Sequence, residues 1–299
     1  MSSVCKASSD YVNGWLIIDK PKGLSSARVV GRIKHLLGGV KVGHAGPLDP
    51  LATGVLAIAL GEATKTVSYV LNGNKDYNFT LKWGEARNTD DAEGKIIKTC
   101  SKRPTSSEIT NIIEKFIGEV WQIPPAFSAL KVSGQRAYTL ARSDVDFCLP
   151  PRLVQIQNLK LLQSDRNTAT LYVRCSKGTY IRALARDLGE CLGTVSHIIE
   201  LRRTIAGPFD VNVAISLDKL ETLVHSARLA AYVQPVEAPL ADIPALELDE
   251  SDAKRLSHGQ TISGFNTDIP TVRVKSGKRL IALAKIYMGE LCPVRVFNL

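Results

Sequence analysis

One carboxylate stands out by its setting. Asp49 lies inside Gly43-His44-Ala45-Gly46-Pro47-Leu48-Asp49-Pro50-Leu51-Ala52-Thr53-Gly54, where glycines and prolines crowd a short segment far more densely than an ordinary connection needs. Pro50 disfavours helix at Asp49 and fixes the chain just after it, and the apolar run Val55–Leu60 predicts a buried strand that anchors the segment to the core. A carboxylate on such a rigid mount is a catalytic candidate. The same residues also suit an aspartate that merely bonds its own backbone in a turn.

Further chemistry-bearing residues are spread along the chain. Tyr77 opens the alternating run Tyr77-x-Phe79-x-Leu81-x-Trp83, which predicts a half-buried strand. The polar stretch Gly84–Gly94 holds Glu85, Asp90, Asp91 and Glu93, but their spacing does not fit an EF-hand loop, so no metal is expected there. Pro124 and Pro125 remove two amide donors, and the residues that follow, including Lys131, Arg136 and Tyr138, interleave basic and aromatic side chains as a segment that clamps RNA would. Arg182 falls in the first turn of a helix expected from Ile181, where it opposes the helix dipole and calls for a carboxylate partner, most usefully Asp49. Arg202 and Arg203 sit side by side among apolar residues.

The elements that must hold these groups are legible in outline. Gly14–Gly23 predicts a buried strand running into a Pro/Gly turn that contains Lys20 and Pro21. Ser25 or Ser26 caps a helix with Val29, Ile33, Leu36 and Leu37 on one face, ended by Gly38-Gly39. Helices are expected over residues 64–71, 105–117 (capped by Ser106 or Ser107) and 217–229, and a strand over Ala169–Cys175. Three prolines among small residues between Gln234 and Pro244 predict an interdomain linker, followed by short strands of a small β-rich module.

Bulk properties narrow the class. Net charge is +9 over 299 residues, with 44% hydrophobic content, which favours a polyanionic partner for an otherwise ordinary globular protein. Residues 1–42 carry seven Lys or Arg against two acids and residues 271–299 six against one, so the positive charge gathers at both ends. Six cysteines are scattered without metal-ligand spacing, as expected of free thiols in a reducing compartment. No leader or membrane span is predicted, and a cytoplasmic location is expected.

The segment Gly-His-x-Gly-x-Leu-Asp-Pro-x-Ala-x-Gly closely resembles the signature of the TruB family of tRNA pseudouridine synthases. The resemblance continues, in the family's order, through Gly14–Gly23, Lys75-Asp76-Tyr77, Asp91-Ala92-x-Gly94, Pro125 with Ser128–Lys131, Ser176–Arg182 and Leu201-Arg202-Arg203. It implies an α/β (α+β) pseudouridine-synthase fold, with a mixed, largely antiparallel sheet flanked by helices over residues 11–238, and residues 123–142 as an RNA-clamping segment. Residues 240–299 would form a PUA-like RNA-binding domain. The implied reaction isomerises uridine 55 in the T loop of tRNA by base flipping, with no cofactor and no metal.

Roles follow from the same resemblance. Asp49 would act on the nucleotide, as nucleophile or by helping to remove a ribose proton; Tyr77 would stack on the flipped uracil, with service as a base a second implied role. Arg182 would pair with Asp49 and keep it ionised and oriented. Tyr180 and Leu201 would line the pocket, Asp91 would bind substrate, His44 would fill the gap left in the RNA stack, and Lys20 with Pro21 would form the floor and phosphate side of the cleft. Lys131, Arg202 and Arg203 would meet RNA. Ala45 stands where a threonine is usual, Pro47 is an uncommon neighbour for Leu48, and Asn88 replaces a frequent acid. The implied partner is tRNA, acted on by a monomer that needs no guide RNA, protein partner or membrane. A tRNA-binding and folding factor with little dependence on catalysis is the alternative, since basic ends and a C-terminal module would serve it equally well.

Overall fold

The computed structural model describes residues 13–143, 145–224 and 226–299. Residues 1–12, and so the first two residues of the expected catalytic domain, lie outside the described residues.

A ten-stranded mixed sheet organises the larger part of the chain. Its path runs Val233–Gln234, Gly14–Lys20, Thr53–Leu60, Ser196–Ala206, Lys75–Trp83, Thr168–Cys175, Arg152–Ser164 and Gly118–Gln122. Neighbours are antiparallel with one exception. Ser196–Ala206 runs parallel to Thr53–Leu60 and pairs with it only at Arg202 with Thr53 and Arg203 with Gly54. Two antiparallel half-sheets are therefore joined along a seam two residue pairs long, and Asp49 lies just upstream of it. The 13-residue strand Arg152–Ser164 and the strand character of Ser196–Ala206 were not apparent from the sequence. In the first, exposed and half-buried polar residues interrupt the apolar run; in the second, the buried polar residues Ser196, His197 and Arg203 break the pattern.

The seam depends on a glycine. Gly54 has φ +97°, and a Cβ there would stand 2.1 Å from the Arg203 carbonyl oxygen. Gly54→Ala is expected to lower stability by about 3 kcal/mol or more, from left-handed backbone strain together with a main-chain collision. A thermal or denaturant melt reads that loss directly.

Among the described residues, four helices cover one face of the sheet, while Val67–Asn72 packs Val70 against the other. Ser26–Leu36 is capped by Ser25, whose side chain accepts from the Arg28 amide at 3.3 Å. Ser106–Ile113 begins at Thr105, not at either following serine, because Glu108 completes a capping box with it. A 3₁₀ turn, Glu114–Phe116, finishes the expected helical span. The amphipathic helix Ile181–Cys191 packs Ile181, Leu184, Ala185 and Leu188 into a core that also holds Phe79, Leu81, Trp83, Leu171 and Val173.

The Pro-rich stretch is not a free linker. Val233–Gln234 pairs with Trp15 and Leu16, and Val236 and Leu240 are buried against Trp15 and Ile17. Its prolines shape a packed turn, because the apolar residues between them find a core. Beyond it lies a five-stranded sheet ordered Ala245–Glu247, Ile269–Ser276, Arg279–Tyr287, Glu290–Val296, Ile262–Ser263. The helix Glu250–Ser257, capped by Asp249, closes one face of this module. From the other face Leu280, Leu283 and Phe297 join the core around Trp15, Ile17, Val236 and Leu240. Apolar burial and the pairing of Glu237 with Lys275, 3.1 Å, fix the two parts against each other.

Candidate active site

The turn Ala45–Ala52 is held almost entirely through its main chain. Ser26 is buried beneath it, donating from Oγ to the Leu48 carbonyl at 3.0 Å and accepting from the Leu48 amide at 2.8 Å. Because Ser25 takes the cap, Ser26 is free for this task. Gly23 donates to the Pro50 carbonyl at 2.8 Å, and the Ala52 amide to the Asp49 carbonyl at 3.0 Å. Fixing the backbone on both sides of Asp49 leaves its carboxylate unencumbered, and that side chain is 41% exposed.

Arg182 meets it from the first turn of its helix. Its Nε donates to Asp49 Oδ2 at 2.9 Å, Nη1 to the Thr89 carbonyl at 2.8 Å and Nη2 to the Phe127 carbonyl at 3.0 Å. Asp91 Oδ2 lies 3.7 Å from the same Nε and is itself buried. Asp91 is oriented by Thr89 Oγ1 at 2.6 Å and the Glu93 amide at 3.0 Å. A guanidinium 7% exposed and bonded on every side has one geometry open to it, so it holds one carboxylate oxygen and leaves Oδ1 to the cleft.

The cleft has a volume of about 590 Å³, within the range of ligand sites. Tyr77, Tyr180 and Leu201 line it together with Asp49, Asp91 and Arg182. Phe127, Ser128, Tyr138 and Arg142 of the expected clamp line it as well. The clamp carries a small hairpin of Lys131–Val132 with Gln135–Arg136, then a helix, Ala137–Arg142. Lys131 is exposed there, away from the cleft lining. Burial raises the pKa of the Tyr77 phenol, opposed by the Arg203 guanidinium beside it. Burial also raises Tyr180, whose amide donates to Gln122 Oε1 at 2.8 Å. Glu93, at the rim, is raised by burial and by the charges of Asp91 and Asp49.

Several expected contacts fall elsewhere. Lys20 is fully buried, and its ammonium donates to the carbonyls of Pro21 at 2.9 Å, Leu24 at 2.6 Å and Pro50 at 3.3 Å. No hydrogen remains for a phosphate, so Lys20 supports the Asp49 turn from below. Burial pulls its pKa down to about 8, against the opposing pull of Asp49 and Glu93. Pro21 is exposed at the turn and does not line the cleft. His44 also stands outside the lining, half-buried, with Nδ1 buried and unpaired and its pKa lowered by burial and by Arg203.

The paired arginines separate by strand alternation. Arg203 is 2% exposed and cannot touch RNA, which corrects its reading as an RNA contact. Arg202 points to the opposite face and grips Asp19 with both Nη groups, at 3.0 and 2.8 Å. With its fork already occupied, Arg202→Ala is expected to change tRNA affinity by less than about threefold while costing about 1 kcal/mol of stability. Filter binding and a melt test the two numbers separately.

Residues 34–181 match the family model described as TruB family pseudouridylate synthase, N-terminal domain, and residues 182–241 the tRNA pseudouridylate synthase B C-terminal domain. The chain belongs to the TruB family. It is 48% identical to tRNA pseudouridine synthase B of Rhodospirillum rubrum, covering 96% of this chain and 97% of that one. The enzyme of the same name from Bradyrhizobium diazoefficiens is 49% identical, over 96% of this chain and 86% of that protein. Among solved structures, a Cbf5-Nop10-Gar1 complex aligns with a TM-score of 0.73 at 25% identity, covering 95% of this chain and 84% of that one. An H/ACA RNP bound to a substrate RNA containing 2'-deoxyuridine aligns at 0.74 and 24%, covering 96% and 85%, a likeness of fold. The fold is thus the mixed α/β pseudouridine-synthase fold. The boundary between the two TruB family models falls inside the first turn of the helix that carries Arg182, and the second model takes in the strand Ser196–Ala206 of the main sheet.

Ser26, Thr89 and Phe127 join the site although the sequence gives them no role in it. Ser26 looked like an ordinary cap. Thr89 and Phe127 act through carbonyl oxygens, which no side-chain pattern reveals.

Proposed function

We propose that this chain isomerises uridine to pseudouridine in tRNA, at position 55 of the T loop, as a stand-alone enzyme. The observation that carries the reading is the Asp49 carboxylate, gripped on one oxygen by buried Arg182 and open on the other to a cleft lined by Tyr77 and Leu201. The near full-length relatives named tRNA pseudouridine synthase B support the choice of substrate.

The chemistry needs little else. The bond from ribose C1' to uracil N1 breaks, the base turns in the pocket, and a bond from C1' to C5 forms. The hydrogen on C5 leaves to solvent and N1 gains one. Asp49 Oδ1 faces the nucleotide, ready either to attack C1' or to accept a ribose proton. Tyr77 offers a flat face on which the detached base can turn. Its raised pKa keeps the phenol protonated at neutral pH, which favours stacking over service as a base. Tyr180 and Leu201 close the pocket around the base. His44, just outside the lining, would occupy the space that the flipped nucleotide leaves.

Residues 11–238 would then be the catalytic domain, with 123–142 closing over the bound loop, Lys131 of its hairpin meeting phosphate, and residues 240–299 as a PUA-like RNA-binding domain. No described helix is long and apolar enough to cross a membrane, which is compatible with the proposed cytoplasmic site of action.

The test is tritium release from tRNA carrying uracil labelled at C5, with purified protein alone. Release that maps to uridine 55, without guide RNA or added protein, is the expected result. Tight tRNA binding without release would favour the folding-factor reading.

A further inference from the structure

Arg203 presents a problem that the reaction scheme leaves open. Its guanidinium is almost completely buried, yet among the described residues it forms no ion pair, whereas Arg182 and Arg202 each grip an aspartate. A buried cation without an anion is costly, and such a group persists where its fixed bonds serve a purpose.

Its bonds describe that purpose. Nε donates to the Val55 carbonyl at 2.7 Å and Nη2 to the Gly46 carbonyl at 2.9 Å. Those two carbonyls stand at opposite ends of the segment that carries Asp49. Arg203 is also the cross-strand partner of Tyr77, and strand alternation turns both side chains to the same face. Its main chain pairs with Gly54 at the seam between the half-sheets. Its side chain thus holds the start and the end of the Asp49 segment, while its main chain pairs with the strand that presents Tyr77.

We propose that Arg203 is a positioning residue for the isomerisation, a staple that fixes the distance between the Asp49 turn and the ring of Tyr77. This rests on the function proposed above. The chemistry gives the distance its importance, because the ribose must stay engaged by Asp49 while the cleaved base turns on Tyr77 and returns by a different atom. A displacement of about 1 Å between two such supports costs on the order of 100-fold in rate. Two divergent carbonyls need a planar fork, which a lysine ammonium cannot reproduce with the same rigidity. Lys20 and Lys75 are also buried and also spend their ammonium groups on carbonyls, but Lys20 reaches the Asp49 turn only at Pro50, from a strand that does not pair with that of Tyr77, and Lys75 holds the carbonyls of Val70, Leu71 and Gly73. Arg203 alone of these three joins the turn of Asp49 to the strand of Tyr77.

The experiment compares parent, Arg203→Lys and Arg203→Met in single-turnover isomerisation with enzyme saturating over labelled tRNA. Affinity by filter binding and amide hydrogen exchange over residues 46–55 accompany it. Because every tRNA is bound to folded enzyme, a loss of folded protein alone does not change the single-turnover rate constant. The expected result is a rate constant about tenfold lower for Arg203→Lys and about 100-fold lower for Arg203→Met. Affinity stays within twofold, and the Ala52 amide exchanges faster in both variants. If Arg203→Met does not fold, Arg203→Lys carries the test. An unchanged rate constant in Arg203→Lys overturns the fork, and affinity falling in step with rate overturns positioning in favour of RNA contact. Failure of both variants to fold also overturns the proposal, leaving Arg203 as a core residue. An inactive parent instead removes the proposed function, an outcome distinct from an active parent beside an equally active Arg203→Lys.

Discussion

Asp49→Asn is expected to reduce product formation by a factor on the order of 10⁴ or more while leaving tRNA affinity within about threefold of the parent. The substitution keeps shape and removes only the anion. An amide oxygen can still accept from Arg182 Nε, so the turn, held by Ser26, Lys20 and Gly23 through main-chain bonds, keeps its position. At 41% exposure the lost ion pair is worth about 1 kcal/mol or less to stability. Rate and fold therefore separate cleanly in this variant. Single-turnover tritium release, filter binding and a melt on the same preparation check all three quantities. Release at more than about a tenth of the parent rate would remove Asp49 from the chemistry.

Arg182→Met carries the second large effect, and it acts on two levels. Asp49 loses the donor that fixes Oδ2, which is expected to lower the single-turnover rate by about 10³-fold or more. Asp91, buried and 3.7 Å from the same nitrogen, is left without its nearest cation. The carbonyls of Thr89 and Phe127 lose their donors as well. Breaking a buried charge from its partner costs about 3–5 kcal/mol, so this variant, unlike Asp49→Asn, is expected to melt at a visibly lower temperature. Freed of its bond to Phe127, the clamp should become more susceptible to proteolysis between residues 123 and 142. Arg182→Lys does not restore the parent rate, since one ammonium cannot satisfy three acceptors that diverge in a plane. Near-parent activity in either variant would show that Asp49 needs no fixed partner.

The two departures in the Asp49 segment fit this architecture differently. Ala45 is fully buried in the core that contains Trp15, Val55 and Ala57, where a small side chain packs without a hydroxyl to satisfy. Pro47 lines the cleft beside Asp49 and stiffens the turn.

What the sequence alone determined were the features written in local spacing. The density of glycine and proline around Asp49 marks a rigid turn because φ and ψ preferences act residue by residue. The helix over Ile181–Cys191 follows from one periodic face, and Arg182 in its first turn, with no local counter-charge, calls for a carboxylate. Alternation along Tyr77–Trp83 predicts the strand and the side to which Tyr77 turns. The tertiary structure alone decided which polar groups are spent on the protein itself. Lys20, Arg202 and Arg203 all read as cations available to RNA. Long-range pairing gives Lys20 three carbonyls, Arg202 an aspartate from another strand, and Arg203 a buried place on the seam between half-sheets. Charge is a property of the residue, whereas availability depends on partners brought together from distant parts of the chain, and no spacing within a single segment encodes that.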